Sequence, residues 1–234
     1  MGQDIFAGIQ KLTLLDFPGY VACTLFTKGC NMRCPFCHNS LLVTRAQEQK
    51  TYKNEEILAF LKKRVGVLDG IAITGGEPTL MPGLREFIID AQALGYKIKL
   101  DTNGTRPDVL KSLVAEGLLD YVAMDIKNCR DKYGATVGFG DDYDISPIQE
   151  SIDFLMRSEI DFEFRTTVSR TFHSENDIVE LARWIAGNEK YFLQQFKDSG
   201  DLIGEGIEGY SDGEMRALLD KMRPFVPNAQ LRGL

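Results

Sequence analysis

The stretch GCNMRCPFCHN, residues 29–39, places three cysteines within eight residues, directly after the apolar run Val21–Thr27. The chain has 234 residues and five cysteines, and an odd count argues against the disulfide framework of a secreted protein. In a reducing compartment, a tight group of cysteines is more typical of a metal or redox site than of a disulfide. The stretch therefore predicts a chemical function for the segment that follows this strand.

Strand-like and helix-like segments alternate from about Val21 to Met222. This alternation predicts an α/β fold with a parallel sheet. Six strand–helix units are fewer than the eight of a closed barrel, so we expect a partial, laterally open TIM-type (βα)6 barrel rather than a doubly wound sheet. The predicted strands, short and rich in β-branched, aromatic and aliphatic residues, are Val21–Thr27, Gly70–Thr74, Lys97–Thr102, Tyr121–Ile126, Phe162–Val168 and Tyr191–Phe196.

Helices are predicted from apolar periodicity combined with start and stop signals. The segment Asn128–Ser146 contains three glycines and is typical of a long loop, which we expect to be mobile. One helix is predicted after an Asn54 cap, with Ile57, Leu58, Leu61 and Val65 on one face, and another runs from Pro82 to an end at Gly95. Two more begin after Ser174 and after the capping box Ser211–Glu214. Weaker helical patterns cover Pro107–Glu116 and Pro147–Arg157.

Composition and charge narrow the class of protein. With 44% hydrophobic and 26% charged residues, the chain fits one globular domain over residues 1–234, with a core of about 20–197 and a C-terminal helix and tail at 211–234. A formal charge of −7 offers no attraction for nucleic acid or an anionic membrane. No apolar run approaches the roughly 20 residues of a membrane span, and the start lacks signal-peptide features. We expect a cytoplasmic protein.

Polar clusters follow the predicted strands at their carboxyl ends. Ligands bind at this edge in barrels and in doubly wound sheets, so these residues are the first candidates for function. Because side chains alternate along a strand, only one of Gln194 and Gln195 can face the interior. Besides the cysteines, the clusters are Thr74-Gly75-Gly76-Glu77-Pro78, Asp101-Thr102-Asn103-Gly104, Asp125-Ile126-Lys127, Arg165 and the two glutamines.

The C-x3-C-x2-C spacing of Cys30, Cys34 and Cys37 lets three thiolates face one soft metal centre from a single loop. A four-iron cluster usually takes four thiolates, so three would leave one iron open to a substrate or cofactor. The competing metal site is a structural zinc completed by His38, but the sequence neighbours Cys37 and His38 are poorly placed to chelate one ion. A thiol–disulfide role would not need Cys30 or the other strand-end groups.

These motifs resemble a known family. The three cysteines, the aromatic Phe36 before the last of them and the later Gly-Gly-Glu-Pro resemble the radical S-adenosylmethionine (SAM) superfamily. The Cys-His-Asn and Asp-Thr-Asn-Gly segments further resemble the glycyl-radical-enzyme activating enzymes. Three segments, Leu12–Gly19, Tyr191–Phe196 and Leu231–Gly233, are most similar to the activating proteins of anaerobic ribonucleoside-triphosphate reductases.

The resemblance implies roles for individual residues. Cys30, Cys34 and Cys37 would hold one [4Fe–4S] cluster, whose open iron would bind the amino and carboxylate groups of SAM. No cysteine-rich insertion for a second cluster occurs between His38 and Gly70. The remaining implied SAM contacts are Gly75, Gly76, Glu77 and Pro78 at the methionyl end, with Glu77 pairing with the ammonium group; Phe36 and His38 near the adenine; Asp101, Thr102 and Asp125 beside a possible monovalent cation; Asn103; and Lys127 and Arg165 near the carboxylate or ribose.

The implied activity is the reductive cleavage of SAM and the generation of a glycyl radical on anaerobic ribonucleoside-triphosphate reductase, with a flavodoxin-like electron donor. The alternatives are a pyruvate formate-lyase-type activase and a radical SAM enzyme acting on a small molecule, such as a deazapurine synthase. Outside the enzymes, the alternative is a metal-stabilised binding module, which would not need the Gly-Gly-Glu-Pro segment or an open iron.

Several further expectations concern residues outside the cofactor site. Cys23 is expected to be a small buried hydrophobe, Cys129 to be incidental and His173 to mark a helix entry. A laterally open barrel admits a peptide loop more easily than a closed one, which favours a protein substrate. We expect that substrate to dock on a rim formed by Asp16–Gly19 and the Asn128–Ser146 segment.

Overall fold

The computed structural model describes residues 4–234. The described chain contains eight strands and eight α-helices, with two short 3-10 helices at Pro78–Leu80 and Arg130–Lys132. The strands are β1 Phe6–Thr13, β2 Ala22–Thr27, β3 Gly70–Gly75, β4 Lys97–Thr102, β5 Tyr121–Asp125, β6 Asp161–Val168, β7 Tyr191–Gln195 and β8 Gln230–Arg232. The helices are α1 Ser40–Thr44, α2 Asn54–Lys62, α3 Leu84–Gln92, α4 Pro107–Ala115, α5 Tyr133–Thr136, α6 Ser146–Arg157, α7 Glu175–Trp184 and α8 Asp212–Met222.

All eight strands form one sheet in sequence order. Strands β2 to β8 are parallel to their neighbours, and β1 alone runs antiparallel, against β2. The six predicted strands and the partial, open TIM-type barrel are confirmed, while the edge strands β1 and β8 were not predicted. Curvature of the sheet brings side chains from non-neighbouring strands together, as where Arg165 of β6 reaches Asp101 of β4 across 3.0 Å.

The predicted helices are confirmed, with local corrections. Ser174 and Ser211 each form a capping box, with Asp177 and Glu214 respectively. Helix α2 begins one residue earlier than predicted, with Lys53 rather than Asn54 at the N-cap position. The prediction for Val65 was wrong: α2 ends at Lys62, so the side chain leaves the buried face and is 55% exposed.

The segment Asn128–Ser146 is not the featureless loop that its glycines suggested. It contains a 3-10 helix and α5, and Tyr133 is completely buried. A Cβ at Gly134 would overlap the Gly140 carbonyl oxygen, and one at Gly138 would lie 2.5 Å from the Arg33 carbonyl oxygen. The glycines therefore allow a compact packing of this segment against the cysteine stretch.

The expected docking rim at Asp16–Gly19 was placed at the wrong end of the barrel. The connection from β1 runs directly into Ala22, the first residue of β2, so it lies at the amino end of the parallel strands. There Phe17 is buried, and a Cβ at Gly70 would lie 2.9 Å from its ring. The segment closes the amino end of the sheet, opposite to the edge where the strand-end polar clusters meet.

The interior face of the strands is unusually polar. On β6 it carries Glu163, Arg165 and Thr167, and the register places Gln194 opposite Thr167 on the same face. Gln195 points to the other face and donates hydrogen bonds to the Tyr210 carbonyl and to Asp212. Gln194 is therefore the glutamine that faces the interior.

The C-terminal strand β8 supplies a charge to this interior. Arg232 donates to both carboxylate oxygens of Glu163, at 2.7 and 3.1 Å, and its guanidinium lies 3.6 Å from the centre of the Phe192 ring. Tyr121 donates a further hydrogen bond of 2.9 Å to the same carboxylate. Glu163 is 1% exposed, so these contacts compensate for the loss of its hydration.

The variant Arg232→Ala should reduce the free energy of unfolding by about 3 kcal/mol, because it leaves a buried carboxylate without its cation. Anaerobic urea unfolding measures the change. Arg223→Ala is the matched control, since it removes an exposed pair with Asp220 and should cost less than about 1 kcal/mol. Equal losses in the two variants would contradict this interpretation of β8.

Candidate functional site

The cysteine stretch forms a loop held mainly by backbone hydrogen bonds. Gly29 N–H donates to the Leu42 carbonyl at 2.7 Å, and Arg33 N–H donates to the Val137 carbonyl at 2.8 Å. The first bond ties the loop to α1, and the second ties it to the turn after α5. The segment Asn128–Ser146 thus supports the loop that carries the three cysteines.

The three thiols line one cavity at the carboxyl ends of the strands, together with residues from β3 to β6. Burial raises the pKa of the Cys34 thiol to about 12, and it also raises the pKa values of Cys30 and Cys37. The main effect that counteracts burial at Cys34 is the positive charge of Lys127, which lowers the pKa of the thiol. Protonated thiols in such a site become ligands when a bound metal displaces their protons.

The predicted glycines Gly75 and Gly76 are required by the packing of the chain itself. Gly75 has a φ of +115°, and a Cβ there would overlap the backbone of Thr27. A Cβ at Gly76 would overlap the Gly29 carbonyl oxygen, and the next residue, Glu77, donates its N–H to that oxygen at 2.8 Å. The end of β3 is therefore pressed directly against the start of the cysteine loop.

Glu77 is 1% exposed and connects three pieces of backbone. Its carboxylate accepts hydrogen bonds from Thr79 N–H at 3.1 Å, Thr79 Oγ1 at 2.5 Å, Thr102 Oγ1 at 2.8 Å and Asn103 N–H at 2.7 Å. Burial raises the pKa of this carboxyl in spite of these donors. Glu77 therefore joins the end of β3 to the end of β4, a role that the sequence did not predict.

Acidic and basic side chains form ion pairs at the strand ends. Lys99 pairs with Asp101, Arg165 pairs with both Asp101 and Asp125, and Lys127 pairs with Asp125 at 2.8 Å. All of these residues except Lys99 line the cavity. Burial alone would raise the pKa of Asp125, but Arg165 and Lys127 hold it well below its usual range. Burial likewise disfavours the charged form of Lys127, yet Asp125 outweighs it and keeps the pKa of the ammonium group high.

The predicted cation position beside Asp101 and Asp125 is thus surrounded by the chain's own cations. Within residues 4–234, no three His, Cys, Asp or Glu side chains are arranged to hold a single metal ion. A monovalent cation at this position stays a prediction.

The predicted aromatic residues take up different positions on the rim. Phe36 is buried and packs against Phe172 and His173, with ring centres 5.7 and 6.0 Å apart. His38 stacks on Phe196, with ring centres 5.6 Å apart, and its Nε2 lies 2.8 Å from the Lys197 carbonyl oxygen. The exposed His38 ring and the buried Phe196 ring beneath it form an aromatic ledge beside the cavity.

His173 does more than mark a helix entry. It is completely buried, its Nε2 lies 2.8 Å from the Lys127 carbonyl oxygen, and its Nδ1 lies 3.2 Å from Ser169 N. The Ser169 N–H can donate to Nδ1, so the Nε2–H can donate to Lys127. His173 therefore holds the backbone of Lys127, a residue whose side chain lines the cavity.

Almost all the predicted site residues meet in this cavity. Pro78 is the exception: it begins the adjoining 3-10 helix and is not among the residues that line the cavity. Thr167 could have been found from its position two residues after Arg165 on the same strand face, whereas nothing in the sequence marks Val43 of α1. The lining residues that were not singled out as cofactor contacts are Met32, Asn39, Val43, Thr74 and Thr167.

The chain is similar to known proteins over this same region. The sequence profile of the radical SAM superfamily matches residues 24–185. A Methanocaldococcus jannaschii protein, provisionally named a glycyl-radical enzyme activating enzyme, is 33% identical over 236 residues, covering 97% of this chain and 95% of that protein. The 7-carboxy-7-deazaguanine synthase of Hyperthermus butylicus is 31% identical over 105 residues, covering 44% of this chain and 43% of the enzyme.

A solved structure has the same fold. The crystal structure of Streptococcus suis SuiB bound to S-adenosylmethionine superposes with a TM-score of 0.69 at 15% sequence identity. The match covers 88% of this chain but 48% of SuiB, so the chain spans about half the length of that protein.

The close contact between Gly76 and the Gly29 carbonyl can be tested by substitution. Gly76→Ala should reduce the free energy of unfolding by about 3 kcal/mol, because the added methyl group meets a backbone carbonyl that cannot move without displacing Cys30. Anaerobic denaturant unfolding gives the value. Gly213→Ala, in α8, is the control: no atom beyond its chain neighbours and its own helix lies within 4 Å of the added Cβ, so the variant should be neutral or stabilising by up to about 1 kcal/mol. A neutral Gly76→Ala would show that the close approach to Gly29 is not a constraint.

Proposed function

We propose that this chain, which belongs to the radical SAM superfamily, generates a glycyl radical on a partner enzyme, and that the partner is an anaerobic ribonucleoside-triphosphate reductase. The observation that carries the proposal is the convergence of three free thiols, a backbone turn and a charged wall in one cavity. The relative from Methanocaldococcus jannaschii, matched over nearly its whole length, supports the choice of an activating enzyme.

The donor set fits one [4Fe–4S] cluster with three protein ligands, Cys30, Cys34 and Cys37. Neither of the other two cysteines lines the cavity, so neither is placed to be a fourth ligand. Cys23 is buried within β2, and Cys129 Sγ lies 3.8 Å from Asp177 Oδ1. One iron would then have no protein ligand and would be open to SAM. When bound, the cluster would supply one electron for the reductive cleavage of SAM to methionine and a 5′-deoxyadenosyl radical.

The cavity wall is suited to the charged end of SAM. Lys127 and Arg165 line the cavity together with their partners Asp101 and Asp125, so that two positive charges stand beside two negative ones. We expect the ammonium group of Lys127 and the guanidinium of Arg165 to attract the carboxylate of SAM. Gly75 and Gly76 would present their backbone to the methionyl group, with Thr102 and Asn103 adjacent to it.

The adenine would lie on the opposite side of the cavity, near Phe36 and His38. The ring of His38 is already held parallel to Phe196, with an interplanar angle of 8°. A fixed aromatic ledge of this kind orients a planar base with little loss of side-chain freedom.

The reaction has a simple balance of atoms and electrons. One electron from a flavodoxin-like donor cleaves a carbon–sulfur bond of SAM, and the resulting radical takes a hydrogen atom from a glycine Cα of the partner. The products are methionine, 5′-deoxyadenosine and a glycyl radical. The chain's residues position SAM and limit the access of water. We propose that the reaction takes place in the cytoplasm, a reducing compartment that suits free thiols. Separately, none of the described helices is long and apolar enough to cross a membrane.

Two other functions are weaker candidates. A pyruvate formate-lyase-type activase would use the same site with a different partner. A small-molecule enzyme, such as a deazapurine synthase, is favoured by similarities that cover less of the chain, such as the 44% matched by the deazaguanine synthase.

Mixing the anaerobically reconstituted, reduced protein with SAM and an anaerobic ribonucleotide reductase should give a glycyl radical signal in electron paramagnetic resonance (EPR), with 5′-deoxyadenosine formed alongside. Cys34→Ala should abolish both products, because it removes a cluster ligand. Cys129→Ala should retain both, since this thiol lies outside the cavity. If the reductase gives no radical while a small molecule stimulates SAM cleavage, the small-molecule function replaces the one proposed.

A further inference from the structure

Asn103 stands at the end of β4, between the cysteine loop and Glu77, and is 6% exposed. Its side-chain nitrogen Nδ2 lies 3.7 Å from Cys30 Sγ and 3.0 Å from Asn31 Oδ1. Its side-chain oxygen Oδ1 accepts hydrogen bonds from Thr105 N–H at 3.0 Å and from Thr105 Oγ1 at 2.7 Å. Both hydrogens of the amide group and both lone pairs of its oxygen therefore have partners.

The orientation of this amide is set by its neighbours. The Thr105 N–H can only donate, so the group facing it must be the oxygen of Asn103. The NH2 group must then point towards Cys30. The backbone adds a second restraint, because Asn103 N–H donates to the buried Glu77 carboxylate at 2.7 Å. Asn103 is thus held with a donor directed at one thiol.

The three cysteines differ in the donors that they receive. Cys30 Sγ accepts from Met32 N–H at 3.4 Å in addition to Asn103. Cys37 receives a backbone hydrogen bond from Asn39. Over residues 4–234, no hydrogen bond to Cys34 Sγ is found. Asn103 is therefore the side chain that distinguishes Cys30 from the other two ligands.

We propose that Asn103 is a positioning residue that hydrogen-bonds the Cys30 thiolate and raises the reduction potential of the cluster. This inference rests on the proposed function, since it requires a cluster on the three cysteines. Hydrogen bonds to cluster sulfurs are among the factors that set the potential. Reduction adds negative charge to the cluster, and a charge-assisted N–H···S contact stabilises the more negative state.

An EPR-monitored redox titration of the anaerobically reconstituted protein, without SAM or partner, tests this role. Asn103→Ala should lower the equilibrium constant for one-electron reduction about tenfold, which is a fall of about 59 mV in the midpoint potential. Asn103→Asp should lower it at least as much. This variant keeps the oxygen that faces Thr105 and the backbone bond to Glu77, but it replaces the N–H donor by a second oxygen.

Two control variants separate this contact from its surroundings. Asn188 accepts a hydrogen bond from Lys190 N–H at 3.1 Å, the same two-residue turn that Asn103 makes with Thr105, but at the start of β7. Asn188→Ala should therefore leave the potential unchanged. Asn31→Ala removes the second partner of the Asn103 amide and should also leave the potential unchanged, because the donor to Cys30 stays in place.

Equal potentials in wild type, Asn103→Ala and Asn103→Asp, at full iron content, would overturn the inference. Loss of the cluster in both Asn103 variants would also overturn it, because Asn103 would then be needed for assembly rather than for tuning. If the wild-type protein itself assembles no four-iron cluster, the proposed function fails instead, so the two failures are distinguishable.

Discussion

The buried charge network of the barrel interior is the constraint on which the site depends. Asp101, Asp125 and Arg165 belong to three successive strands, and each would be costly to bury alone. Their mutual pairing, extended by Lys99 and Lys127, is possible only while β4, β5 and β6 keep their register. The same pairing holds the cations of Lys127 and Arg165 at the cavity wall. Stability and binding of an anionic group therefore depend on one set of contacts.

A second set of contacts connects that wall to the cysteines. Gly76 is pressed against Gly29, and Glu77 reaches from the end of β3 to Thr102 and Asn103 at the end of β4. Asn103 then reaches Cys30. A displacement at any of these points would move the cysteine loop relative to the strand ends. The Gly-Gly-Glu segment thus connects the cysteine loop to the ends of β3 and β4, in addition to any contacts with a cofactor.

The sequence predicted what depends on local pattern. Apolar runs located the six central strands, and the capping residues Ser174 and Ser211 located two helix starts. Features set by tertiary contacts were not predicted, since the glycines of the Asn128–Ser146 segment indicated a loop but allow close packing. The position of Asp16–Gly19 was misjudged although the segment directly precedes β2 and must lie at its amino end. Motifs predicted which residues lie at the site. They did not predict that the Glu77 carboxylate accepts hydrogen bonds from Thr79, Thr102 and Asn103.

In the proposed function, three cysteines hold a cluster with one iron open to SAM. This arrangement is tested most directly by electron–nuclear double resonance on the reduced, reconstituted protein with SAM labelled with 15N at its amino group. We expect a hyperfine coupling between that nitrogen and the cluster, because the amino group would bind the open iron. A reduced four-iron cluster with bound SAM and no such coupling would contradict it.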